Sequence, residues 1–373
     1  MRISLMCETF LPDVNGVTTT LCRLLEYLQH RGHEVLLLAP HDAPSTYAGA
    51  QIIPLNGMPL PMYPEVKLTP PQPGLSAHLR RFRPDLLHLV GPAVAGVMVP
   101  FVAQNLNLPL VGSYHTDFGA YSRHYGLGFF QAGVNRWLRW IHNRCRVTLC
   151  PSTHTIKTLR QSGFRRLRLW GRGVDTEQFH PRHSSLTWRE AVGCQPDESL
   201  LLYVGRLAAE KRVDLLPEAL RGLDKVRLVV VGDGPFRSEL ERRADGLPIH
   251  FTGYLKGQEL ATAYASADAF VFPSDTDTFG QVIQEAMASG LPVVGARSGG
   301  TLDLVRDHQT GYLFAPGVAS DLRVRLRSLI ANPEQRLAMG HAGRAAAEQR
   351  SWPHVLDELL DHYATVSRQR WAA

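Results

Sequence analysis

Two carboxylates, Asp277 and Glu285, flank the start of an expected helix in the stretch Pro273-Ser-Asp-Thr-Asp-Thr-Phe-Gly-Gln-Val-Ile-Gln-Glu-Ala-Met-Ala-Ser-Gly290. Thr278 and Gln281 have the spacing of a capping box, which predicts a helix beginning at Thr278. The first amides of such a helix are free, and a helix N-terminus suits a phosphate or diphosphate. Carboxylates just before the helix and two turns into it are placed to accept hydrogen bonds from sugar hydroxyls. The same spacing also fits an ordinary capped helix with a solvated glutamate.

Three further stretches add chemistry. Tyr203-Val-Gly-Arg-Leu-Ala-Ala-Glu-Lys-Arg212 carries Arg206 and Lys211 in a loop after a strand, where two cations suit a diphosphate, although loops often expose such residues. Phe10-Leu-Pro-Asp-Val-Asn-Gly-Val17 forms a turn in which Gly16 lets backbone approach a ligand. Ser113-Tyr-His-Thr-Asp-Phe118 places His115 at a strand end, with a core or ion-paired histidine as the alternative. No G-x-G-x-x-G is completed, which weighs against a nicotinamide site, and no P-loop occurs.

The elements that must hold these stretches alternate along the chain. Apolar runs at Ile3–Cys7, Val35–Ala39, Leu86–Val90, Leu110–Tyr114 and Val147–Cys150 read as strands covered on both faces. Between them lie helical patterns such as Thr18–Arg31, with Leu21, Leu24, Leu25 and Leu28 on one face. The pattern restarts at Leu200–Val204, Arg227–Val231, His250–Thr252, Ala269–Phe272 and Pro292–Val294, and is helical after residue 318. This predicts two α/β Rossmann-like, doubly wound domains whose parallel sheets face a cleft: 1–180, a linker at 181–197, 198–350, and a terminal segment 351–373.

The 373 residues, 44% hydrophobic and 20% charged, suit two globular domains and exclude a disordered chain. Five cysteines without a C-x-x-C pair read as reduced thiols of a cytosolic protein, not a disulfide framework or zinc knuckle. Residues 86–116 carry no Asp, Glu, Lys or Arg, but the run contains three prolines and reads as a buried β-α-β unit rather than a membrane span. No signal peptide is expected.

Taken together, the four stretches resemble the retaining nucleotide-sugar glycosyltransferases of the GT-B fold, family-four group, over nearly the whole chain. The family's E-x7-E is similar to the pair Asp277 and Glu285, with aspartate in the first place. Its G-R-x4-K matches Arg206 and Lys211, its glycine loop Gly16, and its active-site histidine His115. Leu60-Pro-Met-Tyr-Pro-Glu-Val-Lys-Leu, Tyr125-Gly-Leu-Gly and Leu169-Trp-Gly-Arg-Gly-Val-Asp-Thr resemble sulfoquinovosyl-diacylglycerol synthases, whereas the segment from Thr278 looks more like mannosyltransferases acting on glycolipids and phosphatidylinositol.

The resemblance implies transfer of a mannosyl, glucosyl or sulfoquinovosyl group from a nucleotide-diphosphate sugar to a lipid acceptor, with retention of the α configuration. It implies that Glu285 holds the ribose, and that Asp277 holds the hexose near the amides of Phe279, Gly280 and Gln281. Arg206 and Lys211 would stabilise the leaving diphosphate. Tyr254 and Leu255 would meet the base, and His115 the sugar. The terminal segment from Trp352 would cross back to the first domain. Asp275-Thr-Asp277 spells D-x-D, yet the cations and helix terminus already face the diphosphate, so neither a metal nor a cofactor is expected. A sugar-nucleotide epimerase and a non-catalytic sugar-nucleotide binder are the rival functions.

Charge is uneven. Up to residue 180 there are 18 Lys and Arg against 10 Asp and Glu, a net +8; the remainder has 22 against 24, a net −2. Phe118–Val174 has no acidic residue but carries Arg123, Arg136, Arg139, Arg144, Arg146, Lys157, Arg160, Arg165, Arg166, Arg168 and Arg172, interleaved with Phe129, Phe130, Trp137 and Trp140. This predicts peripheral docking on an anionic cytoplasmic leaflet rather than nucleic-acid binding. The alternative is a solvated basic face with the tryptophans in the core.

Overall fold

Each apolar run expected to be a strand is one, within a residue or two at its ends. A computed structural model describes residues 1–13, 15–60, 63–68, 70, 72, 74–91, 98–115 and 131–368. The chain divides into a unit of Met1–Arg172 with Trp352–Ala373, and a unit of Gly173–Ser351.

In the first unit an eight-stranded sheet runs in the order Leu167–Leu169, Val147–Cys150, Leu110–Ser113, Leu86–Val90, Arg2–Cys7, Glu34–Pro40, Ala50–Leu55, Thr46–Tyr47. All pairings are parallel except the last. Met58–Leu60 and Tyr63–Leu68 pair separately as an antiparallel ribbon. Strands covered on both faces must be apolar on both, and Leu86–Val90 is buried at every residue. The uncharged stretch is the expected β-α-β unit where it is described: Leu86–Val90, helix Val99–Asn105 and Leu110–Ser113, with Leu87 in register with Leu110. Among the described residues no helix is long and apolar enough to cross a membrane.

The last helix, Trp352–Arg368, belongs to this unit. Val355, Leu356, Leu359, Tyr363 and Val366 are buried in its core beside Leu21, Leu25 and Leu28 of helix Gly16–His30. Asp357 accepts from Tyr27 Oη at 2.6 Å and from Arg31 at 2.7 Å.

The second unit holds a six-stranded, all-parallel sheet in the order Ile249–Gly253, Val226–Val231, Ser199–Val204, Ala269–Phe272, Val293–Ala296, Gly311–Phe314. Residues 181–197, expected as a linker, are folded within this unit. A 3-10 turn Pro181–His183 and a helix Leu186–Ala191 lead to Val192 and Cys194, both buried in its core with Phe179. Ser185 caps that helix through Trp188 N, and its own amide donates to Ser266 Oγ. Turn-forming residues there make caps rather than a free connection.

Candidate active site

In an open parallel sheet, ligands bind beyond the C-terminal strand ends where the strand order reverses. The second sheet reverses between Ser199–Val204 and Ala269–Phe272, and the loops leaving these two strands carry Arg206, Lys211 and Asp277. Arg206 is half-buried, and its carbonyl accepts from Tyr203 Oη at 3.0 Å. Its loop is pinned to the neighbouring Gly232-Asp-Gly turn by Leu207 N donating to Asp233 O at 2.9 Å. Lys211 Nζ donates to Asp277 Oδ2 at 2.7 Å, and both side chains are about one-fifth exposed, at 17% and 22%. The sugar-binding carboxylate and the phosphate-binding ammonium of the sequence reading are thus ion-paired with each other.

The helix runs from Gln281 to Ala288, not from Thr278. Gly280 is its cap, with left-handed backbone (φ +91°) and no side chain of its own to bond the first turn, so the cap position belongs to Gly280 and not to Thr278. Gln281, its expected partner residue, donates instead to Gly173 O at 3.0 Å. A helix end with a glycine cap is of the kind that suits an anion. Phe279, just outside the helix, is buried in the core.

Glu285 lies one turn beyond Gln281. Tyr264 Oη donates to its Oε2 at 2.9 Å. Burial pushes the Glu285 carboxyl up to about 7, against the lowering effect of hydrogen bonds from Tyr264 and Gln281. Tyr254 and Leu255 follow Ile249–Gly253, two strands away from the reversal. Tyr254 is 68% exposed, with its hydroxyl on Asp233 O at 3.3 Å, and Leu255 packs partly on the core.

The first sheet reverses around Arg2–Cys7, and Gly16 and His115 gather there. Gly16 opens its helix, with Asn15 Oδ1 accepting from Val17 N and Thr18 N. A methyl group on Gly16 would meet nothing within 4 Å, so its surroundings are open. His115 is buried, Ser113 Oγ lies 2.8 Å from its Nε2, and Arg172 Nη2 lies 2.9 Å from its Nδ1. Burial, reinforced by Arg172, His88 and His142, holds its pKa well below the ordinary imidazole value. Both ring nitrogens are therefore engaged, and the ring is neutral. His115 and Arg172 line a small depression with Tyr114, Leu149, Pro151, Trp170 and Gly171.

Sequence reasoning missed several residues. Arg172 was counted in the basic face but is buried, 8% exposed, and donates to Gly16 O at 2.6 Å and to Thr20 Oγ1. Tyr264, on helix Gly257–Ser266, has no local signal linking it to Glu285. Ser298-Gly-Gly300 does have one, a small-residue turn after a strand. Gly300 N donates to Asp277 O at 2.9 Å, Ser298 Oγ to Asp275 O at 2.7 Å, and a Cβ on Gly299 or Gly300 would overlap the backbone at Asp277 or Phe279.

In the D-x-D, Asp275 faces Arg212 at 3.7 Å and Asp277 faces Lys211. Among the described residues no group of three or more His, Cys, Asp or Glu is arranged to hold a metal. Of the basic face, Arg123, Phe129 and Phe130 lie outside the described residues, as does the Tyr125-Gly-Leu-Gly motif. Trp137 and Trp140 stack at 6.0 Å with an interplanar angle of 12°, half-buried against the core, and Arg144 lies 3.9 Å over Trp140.

The profile described as Glycosyl transferases group 1 matches residues 184–346, and Glycosyltransferase Family 4 matches residues 14–178. A GDP-mannose-dependent alpha-mannosyltransferase of Mycolicibacterium smegmatis is 39% identical over 99% of this chain and 99% of its own length. The sulfoquinovosyl transferase of Arabidopsis thaliana is 36% identical over 96% of this chain and 72% of its own. The sucrose-phosphate synthase structure from Thermosynechococcus elongatus superposes with a TM-score of 0.82 at 20% identity, covering 98% of both chains, a likeness of fold. With two Rossmann-like parallel-sheet domains and both halves matched, this chain is an enzyme of the GT-B fold that belongs to the group 1 and family 4 glycosyltransferases.

Proposed function

We propose that the chain transfers a mannosyl group from GDP-mannose to a membrane lipid of the diacylglycerol or phosphatidylinositol type, with retention of the α configuration and without a metal or other cofactor. The observation that carries this reading is the crevice of the second sheet, where Arg206, the Lys211–Asp277 pair and a glycine-capped helix terminus share one strand-order reversal. The donor follows the mannosyltransferase relative, similar over its full length. A bound donor divides the ion pair: Lys211 turns to the diphosphate, and Asp277 is left to accept a hexose hydroxyl. Glu285 holds the ribose, Gly16 offers open backbone to the phosphates, and Tyr254 and Leu255 meet the base. Arg206 and Lys211 stabilise the departing diphosphate, each worth ~3 kcal/mol in the transition state. The leaving phosphate oxygen takes the acceptor proton, so no protein base is needed.

The lipid acceptor reaches the first unit, and the enzyme sits peripherally on the inner face of the cell membrane. Trp137 and Trp140, flanked by exposed Arg136, Arg139 and Arg144, and Phe101 (49% exposed) 5.6 Å from Trp140, suit an anionic bilayer interface.

A thermal-shift screen of GDP-, UDP- and ADP-sugars, followed by donor-hydrolysis assays in EDTA, tests the donor. GDP-mannose should give the largest stabilisation and slow release of GDP that survives chelation. A preference for UDP-sulfoquinovose would select the sulfolipid reading. A new sugar isomer would select the epimerase, and binding without turnover the binder. Activity lost in EDTA and restored by Mn²⁺ would return the D-x-D to a metal.

A further inference from the structure

Five side chains form a continuous hydrogen-bonded chain through the first unit. Tyr363 Oη lies 2.6 Å from His88 Nδ1, and His88 Nε2 lies 2.9 Å from Ser113 Oγ. Ser113 Oγ is 2.8 Å from His115 Nε2, and His115 Nδ1 is 2.9 Å from Arg172 Nη2. Arg172 then reaches the carbonyl of Gly16. Tyr363, His88 and Ser113 are at most 1% exposed, and His115 and Arg172 are 9% and 8% exposed. Tyr363 comes from the last helix, His88 and Ser113 from neighbouring strands, and Arg172 from the end of the first unit's main segment.

The partners fix where the proton sits. A guanidinium only donates, so His115 Nδ1 must accept. The neutral ring then carries its proton on Nε2 and donates to Ser113 Oγ. The hydrogen-bond partners of Arg172 are Gly16 O, Thr20 Oγ1 and His115 Nδ1, all neutral. Burying a guanidinium against neutral partners is costly, and a merely structural contact is made more cheaply by apolar residues. The cost is explained if the contact sets the state of the histidine.

We propose that Arg172, Ser113, His88 and Tyr363 are positioning residues that lock His115 as the neutral Nε2–H tautomer at the crevice of the first unit, tying the last helix to the site. This rests on the reading that His115 meets the transferred sugar. A ring held this way neither takes up a proton nor turns, so it presents a fixed, uncharged edge. Trp170 supports it from the side, its ring centroid 6.2 Å away at 73°. Among the described residues, the charged and titratable groups that act on the ring include Arg172, His88 and His142.

The test uses the full chain labelled with ¹⁵N-histidine, with His115 assigned by loss of its signal in His115→Asn. Wild-type His115 should show an unprotonated Nδ1 and a protonated Nε2, unchanged from pH 5 to 8. Tyr363→Phe should shift the His88 and Ser113 end of the chain and lower kcat several-fold with the donor KM little changed. Arg172→Met should let His115 change tautomer or titrate and lower kcat at least about tenfold, and Arg172→Lys should restore part of both. A wild-type His115 that is protonated on Nδ1, or that titrates in this range, overturns the proposal, as do variants with wild-type tautomer and kcat. If the tautomer is as stated but His115→Asn keeps full turnover, the sugar-contacting role of His115 fails, and the positioning role with it. An inactive His115→Asn beside a wrong tautomer leaves that role standing and removes only the chain.

Discussion

Glu285, proposed to hold the ribose, is kept at the expense of stability. Its carboxyl is raised to about 7 in the folded protein by burial, against about 4.3 for an unperturbed glutamate. Between these values the folded state binds more protons than the unfolded state, so stability falls as pH rises through that window. The penalty is fully present above about pH 7 and amounts to at most about 4 kcal/mol. Glu285→Gln should therefore raise Tm at pH 8 but not at pH 4.5, while weakening donor binding. In the wild type, donor affinity should fall as pH drops below about 7, because only the carboxylate accepts from both ribose hydroxyls. Calorimetry of both proteins at the two pH values checks this, and an unchanged Tm at pH 8 would contradict the buried carboxylate. The residue types of the site were legible because each lies in a short local motif. Their partners were not. Lys211 with Asp277, Glu285 with Tyr264, and His115 with Arg172 are joined across 66, 21 and 57 residues, and only folding brings them into contact.

At the scale of elements, the buried strands were readable because burial on both faces leaves an unbroken apolar run. Some outer strands were not. Ala50–Leu55, next to the edge strand Thr46–Tyr47, mixes buried and exposed positions and contains Pro54, and Gly311–Phe314 at one edge of the second sheet was not read, although Ile249–Gly253 at its other edge was. The start of the Gln281–Ala288 helix was misplaced because Thr278 has the right spacing for a cap, but Gly280 takes a backbone that interrupts the helix. The turn before that helix is held by Ser298-Gly-Gly300, and the contrast with Gly16 is testable. Gly300→Ala drives a methyl into the Phe279 backbone. It should cost ~1–3 kcal/mol of stability and most of the donor-induced thermal shift. Gly16→Ala meets nothing within 4 Å, and alanine favours a helix by up to about 1 kcal/mol over glycine. It should fold as well as the wild type yet turn over at least about tenfold more slowly, if the open space beside Gly16 is where the proposed donor phosphate lies. Thermal melts and initial rates of the two variants check both statements. Wild-type turnover in Gly16→Ala would remove the glycine loop from the site.

At the scale of the whole molecule, the net charges of +8 up to residue 180 and −2 beyond it separate a basic half from a nearly neutral one. Basic residues near an anionic bilayer contribute ~1 kcal/mol each, screened by salt. The chain should co-sediment with anionic vesicles and not with neutral ones, and salt should weaken the binding. Trp137→Ala/Trp140→Ala should weaken it further, with some loss of packing because both rings lie half against the core. Equal or absent binding to both vesicle types would remove the electrostatic argument. The central claim is the transfer itself, and incubation of the purified chain with radiolabelled GDP-mannose and vesicles containing diacylglycerol or phosphatidylinositol tests it most directly. The account predicts that label enters the organic phase as an α-linked mannolipid, with one GDP released per sugar transferred. A β-linkage in the product, or label that stays entirely in water while the donor binds, would contradict it.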